Sequence, residues 1–366
     1  MTGESGGALS RSEALPRIPL PFASYPNSDL IMNVFELTRA LIDIESITGN
    51  EKGVGRYLTG LLGELATAFG GSVETMTVEA DRFNVLAWWG EPVVTLSTHI
   101  DTVPPFFPSS EDNEYIWGRG ACDTKGIIAS MILAVRGLLE QNIRNVALLF
   151  VVGEERNSAG AYFAARHPRG SRFLINGEPT ENRLALGSKG ALRYEITATG
   201  RMAHSAYPHL GESAIEKLLD VLENIRKISL PVDDLLGPST LNIGVISGGR
   251  APNIVPDHAK AEVMIRLVED GESTRKAMHA AVEGKAEAKE ILTIPALRLG
   301  SIEGFETTVV SYTTDIPAFG GNWGEPFLFG PGTIHVAHTA EERVPKRQLE
   351  EAVALYQSMV KQLLQK

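Results

Sequence analysis

The sequence predicts an α/β domain, with helices on both sides of a mixed β-sheet, that is interrupted by a smaller inserted α+β unit. Three observations support this prediction. Short apolar segments alternate with helical patterns between residues 32 and 186. Residues 187–295 instead combine half-exposed strand patterns with amphipathic helices, and residues 296–366 return to Gly- and Thr-rich loops before a long helix. We therefore expect residues 32–186 and 296–366 to form one domain, with residues 187–295 inserted in it.

Composition narrows the functional classes. The chain has 366 residues, which is enough for two domains, and 43% of its residues are apolar. Its formal net charge is −11, and no basic stripe is present, which argues against nucleic-acid binding. The longest apolar run, Val146–Val152, is too short to span a bilayer, so we expect no membrane partner. The single cysteine, Cys122, excludes an intrachain disulfide and is typical of a cytoplasmic protein.

The first domain begins after a Gly-, Ser- and Pro-rich stretch, residues 1–31. This stretch lacks the charged start and apolar centre of a signal peptide, and we expect an irregular leader. Periodicity then predicts two helices, two strands, a helix and a fully apolar strand. In chain order these are "MNVFELTRALIDIESITG", "GVGRYLTGLLGELATAFGG", "NVLAWWG", "VVTLSTHI", "KGIIASMILAVRGLLEQN" and "NVALLFVVG".

The inserted unit shows a different pattern, in which strands alternate polar and apolar residues and helices are amphipathic. Its predicted order is strand, helix, two strands, helix and strand. The corresponding segments are "ALRYEITATG", "GESAIEKLLDVLENIRKI", "TLNIGVISGG", "HAKAEVMIRLV", "ESTRKAMHAAVEGKAEAKE" and "ILTIPALRLG". The last predicted element of the chain is the helix "KRQLEEAVALYQSMVKQLLQK".

Residues of the types that bind metals follow several of these strands. They are His99 and Asp101 in "STHIDTVP", Asp123 in "GRGACDTKG", Glu154 and Glu155 in "GEE", Glu178 in "GEPT", and His338 in "GPGTIHVAHTAEERV". Each has an ordinary structural interpretation by itself, such as a satisfied histidine, a helix N-cap or a solvated turn. They recur in one arrangement, in which a buried strand is followed by a loop and then by a residue of metal-ligand type, and this indicates a ligand site at the strand ends of an open α/β sheet.

These motifs, together with "GRMAHSAYPHLGESAIEKL", occur in the order found in the M20 family of dinuclear zinc hydrolases. The sequence resembles this family from about Met32 to the C-terminus. The family includes acetylornithine deacetylases, succinyl-diaminopimelate desuccinylases, aminoacylases and carboxypeptidase-G2-like enzymes. The resemblance implies that residues 32–186 and 296–366 form a catalytic dinuclear-metal domain. It also implies that residues 187–295 form a ferredoxin-like dimerisation and lid domain.

The resemblance also implies a ligand set. His99, Asp123 and Glu178 would bind one zinc ion, and Asp123, Glu155 and His338 the other, so that Asp123 bridges the two. Each ion then has three protein ligands and an open position for a water molecule, as hydrolytic zinc requires. Co²⁺ and Mn²⁺ suit the same ligands.

Further residues receive roles from the same resemblance. Glu154 would act as the general base, and Asp101 would orient His99. His204 is expected to reach across a homodimer into the partner's active site. Arg266, in "VMIRLV", is expected to bind a substrate carboxylate, and Asn253, in "APNIVP", is a weaker match to a substrate-binding residue.

Two further residues of metal-ligand type, His335 and Cys122, are not expected to bind a metal. His335 precedes His338 by three residues, but the family pattern selects the histidine of the "AH" pair, so we interpret His335 as part of the loop. Cys122 adjoins Asp123 and is expected to be a small buried residue.

We therefore predict a zinc-dependent amidohydrolase that acts on N-acyl amino acids, with N-acetylornithine as the first choice of substrate. A dipeptidase or carboxypeptidase that uses the same metal site is the alternative, since only the substrate pocket would differ. A non-catalytic metal-binding or dimerisation protein is a third interpretation. The presence of Glu154 and of all five ligand positions argues against it.

Overall fold

A computed structural model describes residues 32–366, so the predicted leader at residues 1–31 lies outside the described residues. Its helices are α1 (Val34–Ile42), α2 (Lys52–Phe69), α3 (Gly126–Glu140), α4 (Ala159–Ala165), α5 (Ala214–Arg226), α6 (Glu272–Val282), α7 (Ile316–Phe319) and α8 (Lys346–Leu363).

The strands of the same residues are β1 (Ser72–Glu79), β2 (Arg82–Trp89), β3 (Val94–His99), β4 (Ser110–Glu111), β5 (Tyr115–Trp117), β6 (Val146–Val151), β7 (Phe173–Asn176), β8 (Leu184–Ser188), β9 (Gly190–Thr199), β10 (Ala203–His204), β11 (Val232–Asp233), β12 (Gly237–Pro238), β13 (Thr240–Gly248), β14 (Ile254–Val255), β15 (His258–Leu267), β16 (Glu287–Ile294), β17 (Leu297–Arg298), β18 (Thr307–Val310), β19 (Glu325–Leu328) and β20 (Arg343–Pro345).

The larger sheet is mixed, as predicted. Its strand order is β1-β2-β6-β3-β7-β19-β8-β17, with β18 parallel to β8. Strands β6, β3, β7 and β19 run parallel to one another, whereas β1 and β2 are antiparallel. Every residue of β3 and β6 is buried; β6 is accordingly apolar throughout, whereas β3 also buries the polar residues Thr95, Ser97, Thr98 and His99. The carboxyl ends of β3, β6 and β7 therefore lie at one edge of the sheet, where the predicted ligands follow.

The smaller sheet has the order β13-β15-β9-β16, and all its neighbours are antiparallel. Alternate residues of β15, such as Val263 and Ile265, enter a core formed with helices α5 and α6. The intervening residues of β15, which include Glu262 and Arg266, lie on the opposite face of the sheet. The predicted α+β arrangement of sheet and helices is thus present.

Two predicted helices are longer than the observed ones. The first was predicted to continue to Gly49 but ends at Ile42, because the chain then turns and its residue Ile47 forms a β-bridge with Thr102. The helix predicted through "EGKAEAKE" ends at Val282. Gly284 follows in the left-handed conformation, which is typical of helix termini.

The last strand of the inserted unit also differs from its prediction. The segment predicted as one strand from Ile291 begins earlier, at Glu287, where it pairs with β9. Pro295 lies between the end of β16 and the start of β17, so that the segment forms two strands.

None of the helices formed by residues 32–366 is both long enough and apolar enough to cross a membrane.

Candidate metal centre

His99 is the last residue of β3, and its imidazole is almost completely buried. Its Nε2 lies 2.9 Å from Oδ1 of Asp123. Its Nδ1 lies 2.9 Å from the backbone oxygen of Asp101 and 3.5 Å from Oδ1 of the same residue. The backbone carbonyl of Asp101 therefore makes the shorter contact that fixes the imidazole ring, and its carboxylate makes the longer one.

The carboxylate of Asp101 has a further structural task that the sequence did not suggest. Its Oδ1 accepts hydrogen bonds from the backbone N–H groups of Gly153 and Glu154, at 2.9 and 3.1 Å. Its Oδ2 accepts from the N–H of Glu155 at 3.2 Å and from Oγ1 of Thr48 at 2.7 Å. One buried carboxylate thus holds the whole turn that carries the two adjacent glutamates.

Asp123 lies in an irregular turn, Ala121–Lys125, that precedes α3. Its backbone is not helical, with φ of −126° and ψ of 79°, and its peptide bond to Thr124 is cis. Oγ1 of Thr124 donates to the backbone oxygen of His99 at 2.7 Å, which fixes this turn against the end of β3. Gly120, with φ of 86°, allows the close approach of the Lys125 side chain.

Glu155 and His338 meet although 183 positions separate them along the chain. Nε2 of His338 lies 3.0 Å from both carboxylate oxygens of Glu155 and 3.2 Å from Oδ2 of Asp123. His338 adopts a left-handed backbone conformation, with φ of 63°. This unusual conformation belongs to the loop that brings the imidazole to the carboxylates.

The predicted ligands converge to different degrees. His99, Asp123 and Glu155 each offer a ligand atom, and these atoms all lie within 4.8 Å of one another. His338 contacts two of the three. Glu178, which follows β7, is buried but does not belong to the three-residue group.

Hydrogen bonds within the cluster govern the protonation of both histidines. Burial opposes the charged form of His99, but hydrogen bonds to Asp101 and Asp123 outweigh it and raise its pKa well above the ordinary value. Hydrogen bonds to Asp123 and Glu155 raise the pKa of His338 to about 10. Burial favours the neutral form of Asp123, yet the two histidines hold its pKa below the ordinary value. The carboxylates thus favour positive charge on their partners, which is the electrostatic requirement of a cation site.

Glu178 supplies a separate indication that the residues fit a metal. Burial, and next the charge of Glu154, raise its pKa well above the ordinary value. Its Oε1 is buried and has no hydrogen-bond partner within residues 32–366. A buried carboxylate oxygen without a donor is costly, and a divalent cation would satisfy it. Two imidazoles and three carboxylates form a donor set suited to hydrolytic zinc.

The residues predicted to bind substrate lie in the inserted unit. His204 is exposed on β10, which pairs with β14, and its Nδ1 accepts a hydrogen bond from the N–H of Ala206 at 3.1 Å. The backbone oxygen of Asn253 accepts from the N–H of Ser205 at 3.0 Å, so the two predicted segments are neighbours. Arg266 is half-buried on β15, where it forms no ion pair with any of the described carboxylates.

Three buried charged residues near the site escaped the sequence analysis. Arg119 and Glu342 form an ion pair, and Oε1 of Glu342 accepts a hydrogen bond from the backbone N–H of Asp123. Asp315 is buried before α7, and burial raises its pKa to about 7. Its charge also acts on Glu154, which places it near the cluster. Arg119 and Glu342 lie within the motifs "GRGACDTKG" and "GPGTIHVAHTAEERV", which is the signal that could have found them, whereas Asp315 in "TTDIP" lies outside every motif and resembles an ordinary loop residue.

Comparisons with known proteins agree with this architecture. A family model described as a peptidase dimerisation domain, of the M20 type, matches residues 186–290. A model of peptidase family M28 matches residues 84–205. A peptidase M20 domain-containing protein of Schizosaccharomyces pombe is 40% identical over 90% of this chain and 84% of its own length. A probable carboxypeptidase of Aspergillus oryzae is 35% identical over 98% of this chain and 96% of its own length.

Solved structures of lower identity share the fold. A tripeptidase of Staphylococcus aureus has a TM-score of 0.77 at 22% identity and covers 91% of this chain and 98% of its own. A dinuclear metal-binding M20 peptidase of Bacillus subtilis has a TM-score of 0.63 at 17% identity, covering 89% and 96%.

Proposed function

This chain belongs to the M20 peptidase family and is a hydrolase of peptide or amide bonds, and from this premise we propose that it is a two-metal carboxypeptidase. The observation that carries the proposal is the convergence of His99, Asp123 and Glu155 within 4.8 Å, with His338 in contact with two of them. The reaction would be hydrolysis of the amide bond next to a free α-carboxylate.

Five residues would hold the two ions. His99 and Glu178 would bind one, Glu155 and His338 the other, and Asp123 would bridge them. Bound divalent ions would supply positive charge that polarises the scissile carbonyl and lowers the pKa of a water molecule. Zinc suits this donor set, and Co²⁺ or Mn²⁺ would also fit it.

Glu154 is proposed as the general base. Its backbone N–H is held by Asp101, and burial raises the pKa of its carboxyl group well above the ordinary value. A carboxylate of raised pKa is a better proton acceptor near neutral pH than an ordinary glutamate. Glu154 would take a proton from the attacking water and deliver it to the leaving amine.

Arg266 is proposed to bind the substrate carboxylate. It is half-buried, and burial lowers its pKa, because the guanidinium has lost water without gaining a carboxylate among the described residues. Such a cation is suited to an incoming anion, and its planar fork fits a carboxylate in a bidentate manner. Substrates with a free C-terminus would therefore be preferred.

Deacylation of N-acyl amino acids, with N-acetylornithine as the first example, is the second candidate. The observation that favours it is the similarity of "AHSAYPHLGESAIEKL" and "GPGTIHVAHTAEERV" to the acetylornithine deacetylase branch. These substrates also carry an α-carboxylate for Arg266. We propose peptide hydrolysis first because the A. oryzae relative is named a probable carboxypeptidase.

A homodimer is proposed as the working form. Strand β13 is an edge strand of the smaller sheet, and its Val245 and Ile246 are exposed although both are large and apolar. A second copy pairing with this edge would cover them. His204 is exposed in the same unit, so it could act in the partner's site.

A substrate panel tests the proposal. N-acylated dipeptides, free dipeptides, N-acetylornithine and N-acetylcitrulline are compared as substrates of chelator-treated protein, before and after addition of Zn²⁺, Co²⁺ or Mn²⁺. We expect activity only with added metal, and the highest kcat/KM on an N-acylated dipeptide with a free C-terminus. A higher kcat/KM on the N-acetyl amino acids would establish the second candidate instead. Full activity after removal of all metal would contradict both.

A further inference from the structure

A buried ion pair, Arg119 with Glu342, contacts the backbone of Asp123. Nη1 of Arg119 lies 2.5 Å from Oε2 of Glu342, and each side chain is only 1% exposed. Arginine and glutamate are almost never buried so completely unless they are paired. Burying such a pair costs desolvation energy that its attraction rarely exceeds, so stability alone gives a weak reason for its presence.

The second oxygen of Glu342 reaches the metal-ligand segment. Its Oε1 accepts the backbone N–H of Asp123 at 3.2 Å, while Sγ of Cys122 lies 3.7 Å away. The contact involves the backbone of Asp123, so the carboxylate of that residue stays available to His99 and His338. Glu342 therefore constrains where the bridging residue lies without competing for its ligand atoms.

The same glutamate anchors the loop that presents His338. The imidazole of His338 is 51% exposed, residues 339–341 are exposed, and Glu342 is the first buried residue after them. Its backbone oxygen accepts the N–H of Gly118 at 3.1 Å. Strand β20 follows at once and pairs with β5, which leads into the Asp123 turn. Glu342 thus joins two ligand-bearing segments that are distant in sequence.

Arg119 is itself held from several directions. Its Nε donates to the backbone oxygen of Pro105 at 3.2 Å, and its guanidinium lies 5.0 Å from the centre of the Phe107 ring. Its backbone N–H donates to the oxygen of Phe107 at 3.2 Å. The guanidinium is thus held by protein groups, and it can fix the orientation of the Glu342 carboxylate.

We propose that Arg119 and Glu342 are positioning residues that bring Asp123 and the His338 loop together before any ion binds. This inference rests on the proposed metal-dependent function. Ligands that are already assembled lose less conformational freedom on binding, so the ions bind more tightly. Outer partners of metal ligands typically contribute 10- to 100-fold to metal affinity.

Two double variants separate positioning from the loss of buried charge. Arg119→Met with Glu342→Gln removes both charges but keeps an oxygen that can accept the N–H of Asp123. Arg119→Met with Glu342→Met also removes both charges but leaves that N–H without an acceptor. Val221→Ala, in the core of the inserted unit, is the control for destabilisation remote from the ligands. Zn²⁺ is titrated into each chelator-treated full-length protein in competition with a fluorescent chelator, and unfolding temperatures are measured in parallel.

We expect Arg119→Met/Glu342→Met to bind Zn²⁺ roughly 10- to 100-fold more weakly than Arg119→Met/Glu342→Gln, while Val221→Ala keeps wild-type affinity despite a lower unfolding temperature. Equal affinity of the two double variants would overturn the inference. If wild-type protein binds no Zn²⁺, the proposed function fails independently of this comparison.

Hydrogen exchange of the wild-type protein gives a test that needs no variant. If the ion pair assembles the ligands in advance, amides of residues 119–124 and 338–343 should exchange slowly in metal-free protein, and zinc should slow them only slightly further. Exchange at the rate of an unstructured peptide until zinc is added would overturn the inference, even if Arg119→Met/Glu342→Met failed to fold.

Discussion

Replacing Arg266 with alanine should abolish the preference for a substrate with a free C-terminal carboxylate. Arg266 lies on the face of β15 opposite the helices, where its register neighbours are Ala191 and Thr240. Neither neighbour carries charge, and burial lowers the pKa of Arg266. A substrate carboxylate would therefore provide the counter-charge that residues 32–366 do not.

The size of the effect follows from the hydrogen bonds that would be lost. A hydrogen bond to a charged group contributes about 1.5–3 kcal/mol, and a bidentate contact with a half-exposed guanidinium should lie near the upper value. A loss of about 3 kcal/mol corresponds to roughly a 100-fold decrease in kcat/KM. An N-acylated dipeptide should therefore react about 100 times more efficiently than its C-terminal amide.

The assay compares the acid and the amide with wild-type protein, Arg266→Ala and Arg193→Ala. Arg193 is the matched control, because its strand β9 is adjacent to β15 but its guanidinium is already paired with Glu262 at 2.5 Å. We expect the acid-to-amide ratio to fall to about one in Arg266→Ala and to remain near the wild-type value in Arg193→Ala. Equal reaction of acid and amide with wild-type protein, or an unchanged ratio in Arg266→Ala, would refute the reasoning.

Three other predictions concern the base, a buried acid and the dimer. Glu154→Gln should lower kcat by roughly 10²- to 10⁴-fold without changing bound metal, and near-normal turnover would eliminate Glu154 as the base. Burial raises the pKa of Asp315 from 3.8 to about 7. The nearby Ser158 side chain lowers this pKa in part, although neither carboxylate oxygen of Asp315 has a hydrogen-bond partner of normal geometry among the described residues. When the pKa of an acid is higher in the folded than in the unfolded protein, ionisation of that acid destabilises the folded protein. The resulting loss in the free energy of unfolding is absent below about pH 4 and reaches on the order of 4 kcal/mol above about pH 7. Asp315→Asn should therefore raise the unfolding temperature of metal-free protein at pH 8 but not at pH 4, and an equal change at both values would exclude ionisation as the cause. Mixing His204→Ala with Glu154→Gln chains should restore up to one working site per mixed dimer, whereas no recovery despite proven chain exchange would place His204 outside the partner's site.

Local sequence patterns predicted that His99, Glu155 and Glu178 lie at or shortly after strand ends, because each stands at the end of a segment with a strand pattern. His99 at the end of β3 and Glu155 after β6 are examples, and both lie where the alternation of strands and helices suggested. The structure brings them together because β3 and β6 are parallel neighbours.

Contacts between distant segments could not be predicted in this way. The hydrogen bonds that the Asp101 carboxylate accepts from the backbone of the turn carrying Glu154 and Glu155 depend on how two strand ends align, 52 or more positions apart. Glu342 lies 219 positions from Asp123, and nothing in "AEERV" distinguishes it from its exposed neighbour Glu341.

Tertiary pairing also outweighed local propensity in the inserted unit. The segment "EGKAEAKE" is rich in Ala, Glu and Lys, which favour helices, and it was predicted as helical. Residues from Glu287 onward instead form β16, because pairing with β9 satisfies their backbone groups along the edge of the sheet.

Metal analysis of protein purified without chelator tests the proposed two-metal site most directly. We predict up to two divalent ions per chain in wild-type protein and in Asp220→Ala, a control at an exposed carboxylate of the inserted unit. Asp123→Ala should lose both ions, because Asp123 would bridge them and contacts both histidines. An Asp123→Ala protein that retains two ions and full activity would contradict the account.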